Sequence, residues 1–383
     1  MCTDSMTENA PLLGDVDSVD EVADASEAPS EARDVGGGML ARHVLALMGF
    51  LGFANVYAMR VNLSVAIVAM VNNTAIATNT SRTDNASCPA PGNSSYPPAP
   101  DGPFSWGPRE QGWLLGAFFF GYVVTQLPGG RLAEKYGGKT LYGGGVLVTS
   151  VLTLLTPLAA NTSIYLFILV RVLEGLGEGV TFPVMHAMLA VWVPPAERSR
   201  MAGLVYSGAQ AGTVLSLPIS GLLCSTYGWP SVFYVFGLLG IVWWVAWCWL
   251  VADSPDSHPR IDESERRYIV TSLAASKARL PSTAVPWLAI LSSPSVWALT
   301  TAHVAQNYGF YTLLTELPTY MANVLHFNIR DNSLVSALPY LAMLAVSLTV
   351  TRLADLVLAA GYDRTTVRLG LQPSSCVDLL KRL

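Results

Sequence analysis

Three ionisable residues, Arg171, Glu174 and Glu178, sit in an apolar run from Ile164 to Val191. The run has the length of a membrane-spanning helix. One charge at the centre of a bilayer costs about 2.5–3.5 kcal/mol on insertion scales, so a span that carries three is expected to use them. On a helix, positions i, i+3 and i+7 share a face, which lines the three up. Gly175 and Gly179 are spaced for close approach by a neighbouring backbone, and Pro183 can kink the helix beyond them. The chemistry this set supports is carriage of a proton on one acid, tuned by the guanidinium. The alternative is a buried ion pair that only locks packing. His186, farther along the run, is a candidate proton relay or gate, against the plainer reading of a packed helix histidine.

The elements that hold such a set must be membrane helices. The chain has 383 residues, 51% hydrophobic and 13% charged, with mean hydropathy +0.41. That composition excludes a soluble globular protein. The net charge of −5 is unevenly spread: ten acids and one base precede residue 40. Residues 1–38 therefore read as a disordered acidic cytosolic tail. No basic patch with interleaved aromatics appears, which argues against nucleic acid as a partner. The start lacks the basic-then-apolar pattern of a signal peptide, so the first span is expected to serve as the insertion signal. The five cysteines have no metal or redox spacing, and no metal or cofactor is expected. Cys88 and Cys224 are both expected on the non-cytosolic side, where a disulfide between them stays open. No nucleophile–base set or phosphate loop argues for an enzyme.

Eight apolar spans are expected: Val44–Val71, Trp113–Leu127, Leu141–Ala159, Ile164–Val191, Ala202–Ser225, Trp229–Val251, Val296–Val324 and Leu334–Leu358. With the amino terminus in the cytosol, cytosolic segments hold 17 of the 22 Lys and Arg residues; the opposite side holds Arg82, Arg109 and Arg330. Glycosylation triplets agree with this orientation. Asn72, Asn79, Asn85 and Asn93 begin them in the first external loop, 72–108, and Asn161 in the second. Asn62 also fits but falls inside a helix and is expected unmodified. The tail carries Glu8, Leu12 and Leu13 in the acidic dileucine pattern that clathrin adaptors read as an endolysosomal address. The longest cytosolic connection, 253–293, contains a mixed-charge helix near Ile261–Ile269, read as a solvated connector.

An internal repeat organises the spans. Gly130-Arg131-Leu132-Ala133-Glu134-Lys135 follows the second span, and Thr351-Arg352-Leu353-Ala354-Asp355 ends the eighth. Arg-Leu-Ala-acid recurs six helices later, as expected for two parallel six-helix halves. This build and loop pattern resemble the major facilitator transporters, and the resemblance implies gating roles for Gly130, Glu134, Lys135, Arg352 and Asp355, the acids meeting a helix amino terminus or a basic neighbour.

With these features in place, several stretches resemble the anion–cation symporters of the major facilitator superfamily. They are Asn55–Ala66, Arg171–Pro183 with Met185–Met188, Pro194–Ser199, Ser207–Gln210, Phe310–Thr315 and Leu317–Met321. The resemblance runs from about residue 40 to 368. It implies an all-α membrane protein with a complete amino-terminal six-helix half (39–252) and the first two helices of the second half (294–368), then a divergent polar tail, 369–383. It further implies a multi-pass lysosomal membrane protein that exports sialic acid, glucuronate or acidic amino acids with protons. Two other readings stay open: potential-driven loading of vesicles with an acidic amino acid, and a transport-dead chain that binds a full-length relative. By the resemblance, Arg60 engages the substrate carboxylate, a role suited to a planar guanidinium fork. Glu174 and Glu178 couple protons, with Arg171 as their neighbour. Tyr122, Tyr206, Asn307 and Tyr311, with Phe118 and Tyr308, are expected to line the pocket.

Overall fold

The computed structural model describes residues 40–72, 102–195, 197–277, 287–325 and 327–361. The tail with Glu8, Leu12 and Leu13, the sites Asn79, Asn85 and Asn93, Cys88 and the segment 369–383 lie outside the described residues. So do the side chains of Arg352 and Asp355 on the last helix.

Helix starts follow from local chemistry. After α1 (Ala41–Met70), the chain returns through a bridge between Val71 and Phe104. α2 (Pro108–Tyr136) begins with proline at its first position, where the missing N–H costs nothing, and Glu110 accepts from the Gly107 N–H at 2.8 Å. α3 (Gly138–Thr162) follows directly, because Gly137 turns the chain with φ +86°, a left-handed value that suits glycine. Ser163 caps α4 (Ile164–Gly179), its hydroxyl accepting from the Tyr165 N–H at 3.3 Å. α5 (Thr181–Trp192) continues α4 after a break at Val180, three residues before Pro183. The expected fourth span is therefore two segments, interrupted where proline was expected to kink it. α6 (Arg198–Tyr227) and α7 (Pro230–Leu250) follow. Beyond lie α8 (Glu263–Lys277), α9 (Trp287–Ser292), α10 (Pro294–Asn323) and α11 (Ile329–Ala359).

Each of the eight expected spans falls on a long helix, the fourth on α4 and α5 together. By length and composition, α1, α3 and α7 are apolar enough to cross a membrane. The outer faces point the same way: Val124, Leu127, Leu158, Val242 and Trp249 are largely exposed, while Arg60, Arg171, Glu174 and Glu178 are buried. Apolar outside and charged inside is stable only against an apolar solvent.

Packing pairs α1 with α6, α2 with α4, and α3 with α4 and α7. α2 packs closely on α4. A side chain at Gly121 would overlap the Val172 backbone, and one at Gly175 would overlap the backbone of Phe118. α10 and α11 join α1 and α6 through a smaller core of Val61, Val65, Leu217, Leu314, Ala337 and Tyr340. Asn332 of α11 donates to the Pro318 carbonyl of α10 at 2.7 Å, and Ser336 donates to Asn332 at 3.0 Å.

The connecting segment departs from the solvated reading. At the start of α8, Asp262 accepts from Ser264, whose hydroxyl holds that carboxyl below its ordinary range. One turn on, Glu265 is buried and accepts the first N–H groups of α1, Ala41 at 2.8 Å and Arg42 at 3.1 Å. Helix amino termini carry partial positive charge, so a carboxylate fits there. The Arg42 side chain lies over the Tyr268 ring and pairs with Glu197 at 3.4 Å. Asp253 plays the same part for α3, accepting from Lys139 N–H at 2.8 Å. Glu265→Ala is expected to lower stability by about 2 kcal/mol, because it strands one buried and one half-buried donor. Thermal unfolding in detergent checks this; an unchanged melting temperature would make the contact incidental.

Candidate functional site

The site assembles where α1, α2, α4 and α10 meet. Arg60 of α1 is buried and reaches Glu178 of α4 through two donors, Nε at 3.0 Å and Nη2 at 2.8 Å, both onto Oε2. Its Nη1 donates to the Tyr311 hydroxyl of α10 at 3.0 Å. Aromatic faces surround the guanidinium, with ring centres of Tyr57, Phe118 and Tyr122 4.6–4.8 Å from its carbon. Such faces attract a cation, more so away from water. The second pair lies within α4: Arg171 Nη1 donates to Glu174 Oε2 at 2.6 Å. Glu174 Oε1 accepts the hydroxyls of Thr153 at 3.1 Å and Thr156 at 3.3 Å, both on α3. A small cavity beside the pairs is lined by Arg60, Ser64, Phe118, Phe119, Arg171 and Thr315 among others.

The shared face expected for Arg171, Glu174 and Glu178 is present, and all three are buried. The pairing differs from expectation. Glu178 is held by Arg60, a residue 118 positions away in the chain, and not by Arg171. The arginine expected to engage a carboxylate and an acid expected to couple protons thus form one ion pair.

Other expected residues divide. Tyr122 and Tyr311 belong to the box around Arg60. Asn307 and Tyr308 are exposed on α10 and do not line the cavity. Tyr206 packs instead against Phe53, Phe182 and His186, so it belongs to a separate aromatic cluster. His186, on α5 beyond the break, is exposed and contacts Tyr206, with no hydrogen bond to the charged set among the described residues. The break at Val180 places it on a separate segment from Glu178. Glu134 and Lys135 are exposed, and neither forms an ion pair among the described residues. The acid that meets a helix amino terminus there is Asp253. Gly130 lies in ordinary contact distance of Pro183. Asn161 is exposed at the end of α3, its side chain donating to Pro157, and the Asn72 backbone N–H donates to Phe104. Cys224 is buried.

Sequence reasoning missed Tyr57, Ser64, Thr153 and Thr156. Tyr57 and Ser64 flank Arg60 at i−3 and i+4, the signal that would have found them. The threonines recur at i, i+3 on one face of α3, a polar stripe in an apolar helix.

Comparisons with known proteins bear on the fold and the family. The Major Facilitator Superfamily profile matches residues 43–371. Human (Homo sapiens) sialin is 49% identical over 306 residues, covering 79% of this chain and 60% of sialin. A putative inorganic phosphate cotransporter of Drosophila melanogaster is 46% identical, covering 85% of this chain and 62% of the relative. Vesicular glutamate transporter 3 of Danio rerio is 37% identical, with 86% and 54% covered. The chain thus spans about 60% of the length of the first of these relatives. Among solved structures, an inward-facing, occupied bacterial homologue of the human lysosomal transporter Spinster aligns with TM-score 0.57 at 17% identity, covering 84% of this chain and 62% of that one. The chain belongs to the Major Facilitator Superfamily, and within it resembles sialin and other anion transporters.

Proposed function

We propose that this chain works as a proton-coupled symporter of organic anions, moving sugar acids such as sialic acid or glucuronate out of an acidic lumen across the lysosomal membrane. The observation that carries the reading is the Arg60–Glu178 pair at the anion cavity. Glu178 occupies two donors of the fork that a substrate carboxylate would take. The two carboxylates compete for one guanidinium.

Charge balance then couples the ions. With Glu178 ionised and bound to Arg60, the buried charge is neutral. A proton alone would neutralise Glu178 and leave Arg60 bare. An anion alone would put two carboxylates against one cation. An unpaired buried charge costs several kcal/mol, so either event by itself is disfavoured. Together they restore neutrality: the proton takes Glu178, and the substrate takes Arg60. Loss of the proton on the neutral side lets Glu178 reclaim Arg60 and expel the anion. The aromatic box and the Tyr311 hydroxyl keep the guanidinium in place throughout.

Proteoliposomes holding the full chain test this with radiolabelled glucuronate and sialic acid. Transport is expected to follow an imposed pH gradient and to persist with the membrane potential clamped. Transport driven by potential with pH clamped would replace symport with potential-driven loading. No anion movement under either gradient would sink the reading.

A further inference from the structure

About two turns before Arg60 on α1 lies a polar set that the exchange around Arg60 does not use. Tyr142 of α3 is buried, and its hydroxyl has no hydrogen-bond partner among the described residues. The hydroxyl of Tyr206 on α6 is buried and unpartnered in the same way. Both rings pack on Phe53 of α1, with centres 5.8 and 5.2 Å from it. The end of the Tyr142 ring abuts α1 at Gly52, where an added methyl would lie 2.7 Å from the hydroxyl. Tyr142 is close enough to Tyr206 and to Glu178 for both to act on it electrostatically. Glu178 takes both Arg60 donors on Oε2, so its Oε1 accepts from no donor among the described residues. Oxygens from α3, α4 and α6 thus gather in one region without bonding one another. The rest of the wall is apolar, with Phe53, Phe182, Trp243 and Trp247. A buried hydroxyl without a partner is costly, and native chains fill such sites with protein groups or ordered water. A buried water needs about two to four polar partners, which this set supplies.

We propose that ordered water binds among Tyr142, Tyr206 and Glu178, and that this hydrated set carries the departing proton toward the cytosolic start of α1. The proposal rests on the symport reading for the source of that proton. A hydroxyl and a water each donate and accept, so the proton moves by exchange. The carboxyl O–H of Glu178 breaks as a water oxygen takes its hydrogen. That water passes a hydrogen to the next hydroxyl, and the last is released to bulk water. Glu178 alone is left with a new charge, which returns to Arg60. The route leads past Tyr206 to His186, exposed on α5 with its ring centre 4.8 Å from that of Tyr206. The charged and titratable groups around it are Arg60 and Tyr57 on α1, Tyr122 on α2, Arg171, Glu174 and Glu178 on α4, and His186 on α5. From α7 come the indoles of Trp243 and Trp247, which carry no charge.

Two measurements test it. Thermal unfolding of the full chain in detergent reads the water site without requiring transport. Tyr142→Phe and Tyr206→Phe are each expected to lower the melting temperature by about 2–4 °C. The double variant is expected to lose little more than the larger single loss, because the two hydroxyls share one site. A higher melting temperature in either variant would mean a dry hydroxyl, and fully additive losses would mean two unlinked sites; either overturns the shared water. Uptake of radiolabelled glucuronate under a pH gradient reads the route. Tyr142→Phe/Tyr206→Phe is expected to lower kcat about tenfold or more with KM unchanged, and to deepen the slowing in heavy water. A raised KM with kcat kept would make the hydroxyls substrate contacts, and an unchanged kcat would remove them from the route. A chain that moves no anion, yet shows the linked stability losses, would sink symport and the route with it and leave the water site standing.

Discussion

Glu178→Gln is expected to abolish the response of anion transport to a pH gradient while leaving the cavity able to bind anions. Glutamine imitates the protonated acid in shape and charge, so Arg60 is released from its competitor at every pH. At neutral pH the affinity for glucuronate is expected to rise by roughly tenfold or more, since substrate no longer displaces a charged partner. In the absence of anion the variant carries a buried guanidinium without its counter-charge, at a stability cost of about 3 kcal/mol. Added anion should recover that loss, giving a larger thermal shift than the parent protein shows. Binding and melting curves in detergent at mildly acidic and neutral pH read both effects. A variant that retains the parent's pH-driven uptake would remove Glu178 from the coupling step.

Arg60→Leu has the second large effect. It strips the cavity of its carboxylate receptor and leaves Glu178 buried opposite nothing. Breaking a buried pair from one side costs about 3–5 kcal/mol. Anion binding should fall below detection, and the melting temperature should drop further than for any substitution on the outer face. The double variant Arg60→Leu/Glu178→Leu is expected to regain most of the stability and none of the binding. The pair is then the source of the cost, since residues in direct contact are not additive. Arg60→Lys should fold well, yet bind weakly, because a point charge cannot present the planar fork. Equal stability losses for the single and double variants would show that Glu178 tolerates burial alone.

Much of this architecture could be read from residue order, and the reason is local. The apolar runs located long helices, because run length and charge placement are properties of short windows, while their ends were less exact: the run Trp113–Leu127 lies within Pro108–Tyr136. The α4 face of Arg171, Glu174 and Glu178 was legible from helical spacing alone, as was the contact of Gly175 and Gly179 with a neighbour, now seen to be α2. Partner choice was not legible. Arg60 and Glu178 meet because the bundle places α1 beside α4, and no periodicity within either helix records that adjacency. The same gap explains Tyr206, correctly placed in a span but rotated into the Phe53–Phe182 cluster. It also explains Asp253, whose role at the start of α3 had been expected of Glu134. His186 was read as a relay or gate from its place in the fourth span, but it is exposed on α5 and contacts Tyr206.

The segment between α7 and α10 adds a physical point. Two of its acids, Asp253 and Glu265, cap the helices that open the first and third spans. A segment whose composition reads as solvated linker is thereby tied to the bundle. Mixed charge predicts exposure only when no helix terminus lies within reach.

The central claim is that a proton and an anion exchange places around Arg60. Calorimetric titration of glucuronate into the purified chain tests it most directly, repeated in buffers of differing ionisation enthalpy. The account expects the protein to take up a proton for each anion bound near neutral pH, and expects that uptake to disappear in Glu178→Gln. Anion binding with no proton taken up, or with uptake unchanged in Glu178→Gln, would contradict it.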